Sequence, residues 1–295
     1  NAQAPIAGKV GLVSGGGSGH EPAHAGFIGR GMLDAACVGT VFSSPTPDHF
    51  LEAAKAVDSG AGVLMVIKNY SGDLMNSQMA EEMAEFEGVK VTRVIVDDDV
   101  AVKNSTYTTG RRGIAGTVFV HKIAGAKAAQ GASLDEVKAV AEKTVANVRS
   151  MGMALSPCIV PIAGKANFSL AEDEMEIGMG IHGEPGITRS KIAPADEIVT
   201  ALMEKILDDI PFVAGDEVAV MVNGLGATPL MELYIVNRKV AEICAARGVT
   251  IYRTFVGEYM TALEMAGASI SVLRLDPELK ALLDAPADAI AFKQC

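Results

Sequence analysis

The chain has 295 residues, of which 49% are apolar and 21% charged, with a formal net charge of −11. This apolar content can bury a large core in one domain or two, which excludes a disordered chain, and the acidic balance excludes a protein whose main task is to grip nucleic-acid phosphates or an anionic membrane. The longest apolar runs, 62–67 and 218–222, fall far short of the roughly 20 residues of a membrane-spanning helix; no signal peptide opens the sequence and Cys37, Cys158, Cys244 and Cys295 form no CxxC pair, so a cytoplasmic protein without a disulfide framework or thiolate metal site is expected.

Short β-branched runs alternate with amphipathic stretches and glycine turns, the pattern of α/β layers on a mainly parallel sheet. Strands are expected over 9–14, 35–39, 63–67 and 89–96, with helices over 48–58 and 76–86 between them. A long helix follows over 134–151, opened by Ser133 as N-cap with Glu136 three residues on to complete a capping box. Beyond it Pro157, Pro161, Gly164 and Pro185 change the texture. Strands are expected near 153–159 and 175–180, then, after Pro194 and Ala195, a helix through Asp208, then strands near 217–222, 250–255 and 269–274 flanking two further helices. The expected fold is α/β with two domains. A doubly wound, mainly parallel sheet occupies 1–153, with 276–295 a candidate to rejoin it, and a second, α+β domain occupies 154–275.

Three segments carry candidate chemistry. Gly15-Gly16-Gly17-Ser18-Gly19-His20-Glu21-Pro22 follows a strand and is expected to lead into a helix. Its glycines let a backbone approach a ligand and leave N–H groups free for oxygen, although a tight strand-to-helix turn would need them too. His20-Glu21-Pro22 fits a GxGxxG dinucleotide loop badly. Lys68-Asn69-Tyr70-Ser71-Gly72-Asp73 ends a strand, where ligands of open sheets gather. Asp73 there can accept a proton from a substrate hydroxyl and Lys68 can hold an oxygen or a transferring phosphoryl group; an Asx-type turn and a surface lysine are the competing reading. In Gly180-Ile181-His182-Gly183-Glu184-Pro185-Gly186 the histidine is framed by glycines and open to a ligand. A neutral imidazole is a nucleophile toward a carbonyl carbon, while a lone histidine is more often a turn or core residue.

Other segments carry less. Asp97-Asp98-Asp99 suggests Mg²⁺, but acidic runs at strand ends are usually solvated or cap a helix. Asn223-Gly224-Leu225-Gly226-Ala227-Thr228-Pro229 resembles a dinucleotide loop in which Pro229 replaces the third glycine. Arg111-Arg112 reads as a surface or interface pair, and His24, His49 and His121, which lack metal spacing, read as structural. No GxxxxGK[ST] phosphate loop occurs, and no metal site is assigned.

Seven segments in order, GGGSGHEPAH at 15–24, FSSPTPD at 42–48, IKNYSGD at 67–73, VDDDVAV at 96–102, TTGRRGIAGT at 108–117, GIHGEPG at 180–186 and NGLGATPL at 223–230, together resemble the dihydroxyacetone kinase substrate-binding family over nearly the whole chain. The resemblance implies a two-domain α/β subunit, usually a homodimer, in which His182 forms a hemiaminal with the ketone of dihydroxyacetone. It implies His20 and Asp73 as the acid/base pair, and Gly17, Lys68 and the Ser43/Ser44 turn as substrate-lining positions. A covalent bond to the carbonyl would select ketones and aldehydes over glycerol. The family's usual N-terminal segment and the helical nucleotide domain of its single-chain members are not in this sequence. This chain is therefore expected to bind no cofactor, with ADP or ATP and Mg²⁺ on a separate nucleotide-binding kinase subunit recharged through a phosphotransferase-system phosphocarrier. The resemblance leaves two alternatives: a non-catalytic dihydroxyacetone-binding paralogue acting as a transcriptional coactivator, and a kinase subunit for another small ketose such as a tetrulose.

Overall fold

In the computed structural model, which describes residues 1–295, strand alternation decides which helix covers which face. The chain opens with β1 (Gly11–Ser18), β2 (Gly29–Arg30), β3 (Ala35–Val41), α1 (Pro47–Val57), β4 (Val63–Lys68), α2 (Ser71–Phe86) and β5 (Val91–Val96). Strands β3-β1-β4-β5 pair in that order, all parallel. Val13, Val63, Met65 and Ile67 point to one face, onto Phe50, Leu51 and Ala54 of α1 and Ala80 and Ala84 of α2. Leu12, Leu64, Val66, Val94 and Val96 point to the other.

That second face is covered by α3 (Thr117–Ala129) and α4 (Leu134–Asn147). Then come β6 (Val148–Ala154), the short hairpin β7 (Ile159–Val160) and β8 (Lys165–Ala166), β9 (Glu174–Ile177), β10 (Thr188–Lys191), α5 (Ala195–Asp209), β11 (Glu217–Gly224), α6 (Leu230–Ala246), β12 (Thr250–Gly257), β13 (Gly267–Leu275) and α7 (Pro277–Asp284). The second sheet has the order β10-β9-β6-β13-β11-β12, antiparallel except for the parallel β11–β12 pair. Ala219, Met221, Leu273 and Leu275 face α3, α4 and α7, while Val218, Val220, Val222, Ile270 and Val272 face α5 and α6. The result is five layers, with the α3/α4/α7 layer buried between two sheets. The chain ends on β14 (Ala287–Ala289) and β15 (Phe292–Gln294); β14 pairs with β2, so the C-terminus lies against the first sheet's loops. No helix is long and apolar enough to cross a membrane.

Several expectations need correction. The helix over 134–151 stops at Asn147, and Val148 starts β6, paired from Leu273 to Gly267 of β13 and pinned by Ser150 Oγ donating to Ser271 Oγ at 2.6 Å. No Gly or Pro marks the switch; the pairing with β13 decides it. The strand expected near 153–159 is therefore displaced to 148–154, and 258–266 is a loop rather than a second helix. The capping box of Ser133 and Glu136 is present. Helix α3 gave no sequence signal because it is buried all round and lacks an amphipathic period.

Burying α3 requires a close approach at Gly125, where a methyl group would lie 2.6 Å from the carbonyl carbon of Gly31 and 2.7 Å from Met32 Cα. Both contacts are backbone and cannot swing away. Gly125→Ala is expected to destabilise the fold by about 1–3 kcal/mol, the usual cost of overpacking, read as a lower urea midpoint in equilibrium unfolding.

Candidate active site

The strand order reverses around β1: β3 lies on one side and β4 on the other. Loops leaving the carboxyl ends of such strands leave a crevice between them, the usual ligand site of open α/β sheets. Here the crevice is a cleft of about 330 Å³ lined by Gly17, Phe42, Ser44, Tyr70, Ser71, Gly72, Asp73, Thr106, Tyr107 and His182. A larger apolar cleft of about 390 Å³ lies between α5 and α6, but Glu232 is its one acidic lining residue and it has no basic one. The histidine and the buried carboxylate are in the first.

The glycine run is not a turn into a helix. Gly15, Gly16 and Gly17 continue β1 to Ser18, and a 3-10 turn, Ala25–Phe27, follows in place of an α-helix. The glycines are needed for approach: a methyl group on Gly17 would lie 2.5 Å from Ser43 N and 2.8 Å from the backbone of Phe42, and one on Gly16 would lie 3.2 Å from Lys68 Nζ. Ser43 thus backs Gly17 through its main chain, while Ser44 lines the cleft directly. Helix α2 starts at Ser71, earlier than the expected 76, which places Asp73 in its first turn; the N-terminal dipole there favours a carboxylate.

Two imidazoles from opposite halves of the chain meet here, His182 lining the cleft and the fully buried His20 behind it. His20 Nε2 and His182 Nε2 are 3.0 Å apart. His20 Nδ1 is 2.8 Å from the Thr261 carbonyl, and His182 Nδ1 is 3.0 Å from Glu184 Oε1. Both Nδ1 partners accept only, so both Nδ1 atoms carry their protons. Two bare lone pairs would repel at 3.0 Å, so a proton lies between the two Nε2 atoms at rest. Burial first, then Lys68 and His182, push His20 well below the usual histidine range, with the Thr261 carbonyl opposing. The Glu184 carboxylate beside His182 Nδ1 is the counter-charge available to a proton shared by the pair. Burial alone would raise Glu184, but His182 and Arg112 outweigh it and hold the carboxyl at about 2.

Tyr70 and Phe42 close the edges of the His182 ring at centroid distances of 4.6 and 5.2 Å, and Phe42 stacks on His20 at 5.0 Å. Lys68 is fully buried with no hydrogen-bond partner on Nζ, and the buried Asp73 Oδ1 is also free. Burial raises the Asp73 carboxyl against the opposing pull of Lys68, Ser44 and His182, and lowers Lys68 against Asp73, Glu184 and Asp98. A carboxylate so raised is a stronger base.

Sequence reasoning missed the support beneath these groups. Arg112, expected at the surface, is fully buried: Nε donates to Asp99 Oδ2 at 2.7 Å and Nη2 to the Gly178 carbonyl at 2.7 Å. Its free Nη1 lies beside Glu184, an approach made possible by Gly180, where a methyl group would meet Nη1 at 2.6 Å. Asp98 and Asp99 are neither solvated nor metal-grouped; Asp98 accepts from the N–H groups of Ile114 and Gly116 ahead of α3. Glu184 stood inside a recognised motif without a role. Thr261 had no signal, since its part is played by a carbonyl.

A family model described as the Dak1 domain matches residues 1–291. The chain belongs to the Dak1 family. It is 56% identical over 286 residues to a protein of Listeria innocua named as the dihydroxyacetone-binding subunit of a PTS-dependent dihydroxyacetone kinase, with 97% of this chain and 87% of that one covered. Among solved structures it is similar to a dihydroxyacetone kinase operon co-activator, with TM-score 0.92, 38% identity and 97% and 89% of the two chains covered. It is also similar to the dihydroxyacetone kinase of C. freundii, with TM-score 0.91, 37% identity and 98% and 52% covered.

Beneath the cleft of this Dak1 protein His24 Nδ1 and His121 Nε2 are 3.0 Å apart, and both residues are buried. Burial, with Lys68 adding, pushes His121 from 6.5 down to about 3, so between those values the unfolded chain binds a proton that the folded chain refuses. The stability held above pH 6.5 by this group is lost as pH falls toward 3. Asp99, raised to about 6 by burial, acts with the opposite sign, so a difference measurement isolates the imidazole. His121→Gln is expected to lose less stability than the parent chain between pH 7 and pH 5, read from urea midpoints at the two values.

Proposed function

We propose that this chain is the substrate-binding subunit of a dihydroxyacetone kinase, holding dihydroxyacetone as a hemiaminal on His182 while a nucleotide-bearing partner subunit supplies the phosphoryl group. The observation that carries the reading is the Nε2–Nε2 contact of His20 and His182, with Asp73 in the same cleft. The relatives of matching length, named as dihydroxyacetone-binding subunits, support the choice of substrate and the division between two subunits.

Each step follows from a residue in place. As the ketone enters, His182 passes its Nε2 proton to His20 and is left with a lone pair directed at the carbonyl carbon. The N–C bond forms, the C=O π pair moves to oxygen, and His20 returns the proton to that oxygen as the hemiaminal hydroxyl. His182 is then an N-alkylated imidazolium still paired with Glu184, and the net charge of the site is unchanged. Glycerol has no electrophilic carbon and cannot complete this step. Gly17 and Ser44 bound the space left for the rest of the substrate.

Asp73 takes the proton from the terminal hydroxyl as its oxygen attacks the phosphoryl group and the bond to the nucleoside diphosphate breaks. Lys68 holds charge beside the reacting oxygen. Positioning supplies most of such a transfer. The nucleotide and Mg²⁺ are assigned to the partner subunit, where the metal would neutralise phosphate charge. The co-activator structure shares the fold, but a binding-only protein needs no hydroxyl base, and Asp73 is buried and raised here, with Oδ1 free.

Purified chain, supplied with an ADP-loaded nucleotide subunit and its phosphoryl donor, is expected to turn over dihydroxyacetone and not glycerol. His182→Ala should abolish the adduct, seen as loss of the ligand-dependent increase in intact mass. Asp73→Asn should keep the adduct and lower turnover by about 10²-fold or more, the scale of a lost general base. An adduct that survives in His182→Ala would contradict the assignment; an adduct without turnover in the parent chain would move the reading to the co-activator class.

A further inference from the structure

Asn223, the first residue of NGLGATPL, touches none of the reacting groups, yet it is fully buried and its whole amide serves one turn and its neighbour. Oδ1 accepts from the N–H groups of Tyr259 at 2.8 Å and Met260 at 2.9 Å. Nδ2 donates to the Met260 carbonyl at 2.8 Å and to Ser269 Oγ at 3.0 Å. All four amide valences are used, so a change at this position leaves buried backbone groups unpaired.

The turn held this way, 258–263, is fastened to the segment that carries His20. Thr261 N donates to the His20 carbonyl at 3.2 Å, Leu263 N donates to the Gly19 carbonyl at 2.7 Å, and Thr261 Oγ1 donates to the Glu21 carbonyl at 2.8 Å. The fourth link is His20 Nδ1 to the Thr261 carbonyl. Leu263 sits at φ 55, and Phe42, stacked on the His20 ring, at φ 56. Neither is glycine, and such backbone persists only where surrounding contacts impose it. For Leu263 those contacts include the turn that Asn223 holds.

We infer that Asn223 is a positioning residue for His20: by holding Tyr259 and Met260, the two residues ahead of Thr261, it aims the Thr261 carbonyl at Nδ1 and so fixes the tautomer that leaves Nε2 free to accept the proton of His182. The inference rests on the proposed role of His20 as proton carrier for the adduct. It also gives NGLGATPL a purpose other than a dinucleotide loop. Gly224 lets Glu258 close on the strand end, where a methyl group would lie 2.7 Å from its Cδ, and Gly226, at φ +122, bridges to Met265 at the far side of the turn.

Long-range ¹H–¹⁵N imidazole spectra of the full chain report the tautomer directly. The parent chain is expected to show His20 protonated on Nδ1. Asn223→Ala should show a mixture with the Nε2–H form and form the dihydroxyacetone adduct roughly tenfold more slowly, the scale on which outer-shell partners act. Asn223→Ser, which restores one polar partner, guards against a variant that fails to fold and should fall between. Thr261→Val removes the link to Glu21 but keeps the carbonyl, so it should retain the Nδ1–H tautomer. A folded Asn223→Ala or Asn223→Ser protein with His20 wholly Nδ1–H and the parent adduct rate would overturn the inference. A parent chain that forms no adduct, while Asn223→Ala still shifts the tautomer, would overturn the hemiaminal reading and leave the positioning role standing.

Discussion

The 3.0 Å contact between His20 Nε2 and His182 Nε2 joins residues 162 positions apart, and much of the surrounding architecture serves it. One imidazole rides on the end of the parallel sheet, the other on a loop of the mixed sheet. Each is tied at its far nitrogen to an acceptor, a carbonyl for His20 and a carboxylate for His182. The difference between those acceptors divides the labour: a carbonyl offers His20 no counter-charge, while the Glu184 carboxylate offers one to His182. Identical acceptors would have left two equivalent imidazoles and no direction for the proton.

Such a site is costly to bury. Lys68, Asp73, Asp98, Asp99, Arg112 and Glu184 all lie almost wholly out of water, and a buried charge is tolerable only when paired or hydrogen-bonded. Arg112 is the hub, held by Asp99 and the Gly178 carbonyl and set beside Glu184. Lys68 Nζ and Asp73 Oδ1 break the rule, since both are enclosed and unpartnered. Asp73 lines the cleft while Lys68 lies behind it, so the unmet carboxylate oxygen is what a hydroxylated substrate would satisfy.

Much of this was legible in the sequence, for a physical reason in each case. The parallel first sheet was readable because β4 is a continuous apolar run ended by a polar turn and β1 opens on apolar residues before its glycines, and α1 because its apolar residues recur with helical period. His20, Asp73 and His182 stood out because glycines or strand ends framed them. What escaped depends on distant partners. Helix α3 is buried on every side and so has no period; β6 is a strand because β13 needs a neighbour; Arg112 looked like a surface residue because nothing near it in sequence announces Asp99 and Glu184 as its surroundings. Thr261 acts through its backbone, which no residue type reveals, and the glycine run proved to be strand because the close approach of Ser43 and Phe42 is a tertiary fact.

The most direct test of the account uses dihydroxyacetone labelled with ¹³C at its carbonyl carbon, added to the chain and observed by NMR. The account predicts that the bound carbon leaves the carbonyl region for that of a tetrahedral carbon bonded to nitrogen and oxygen, and that this signal is absent from His182→Ala. A bound ketone whose carbon stays in the carbonyl region would contradict it, because the His20–His182 pair would then be holding a substrate it never attacks.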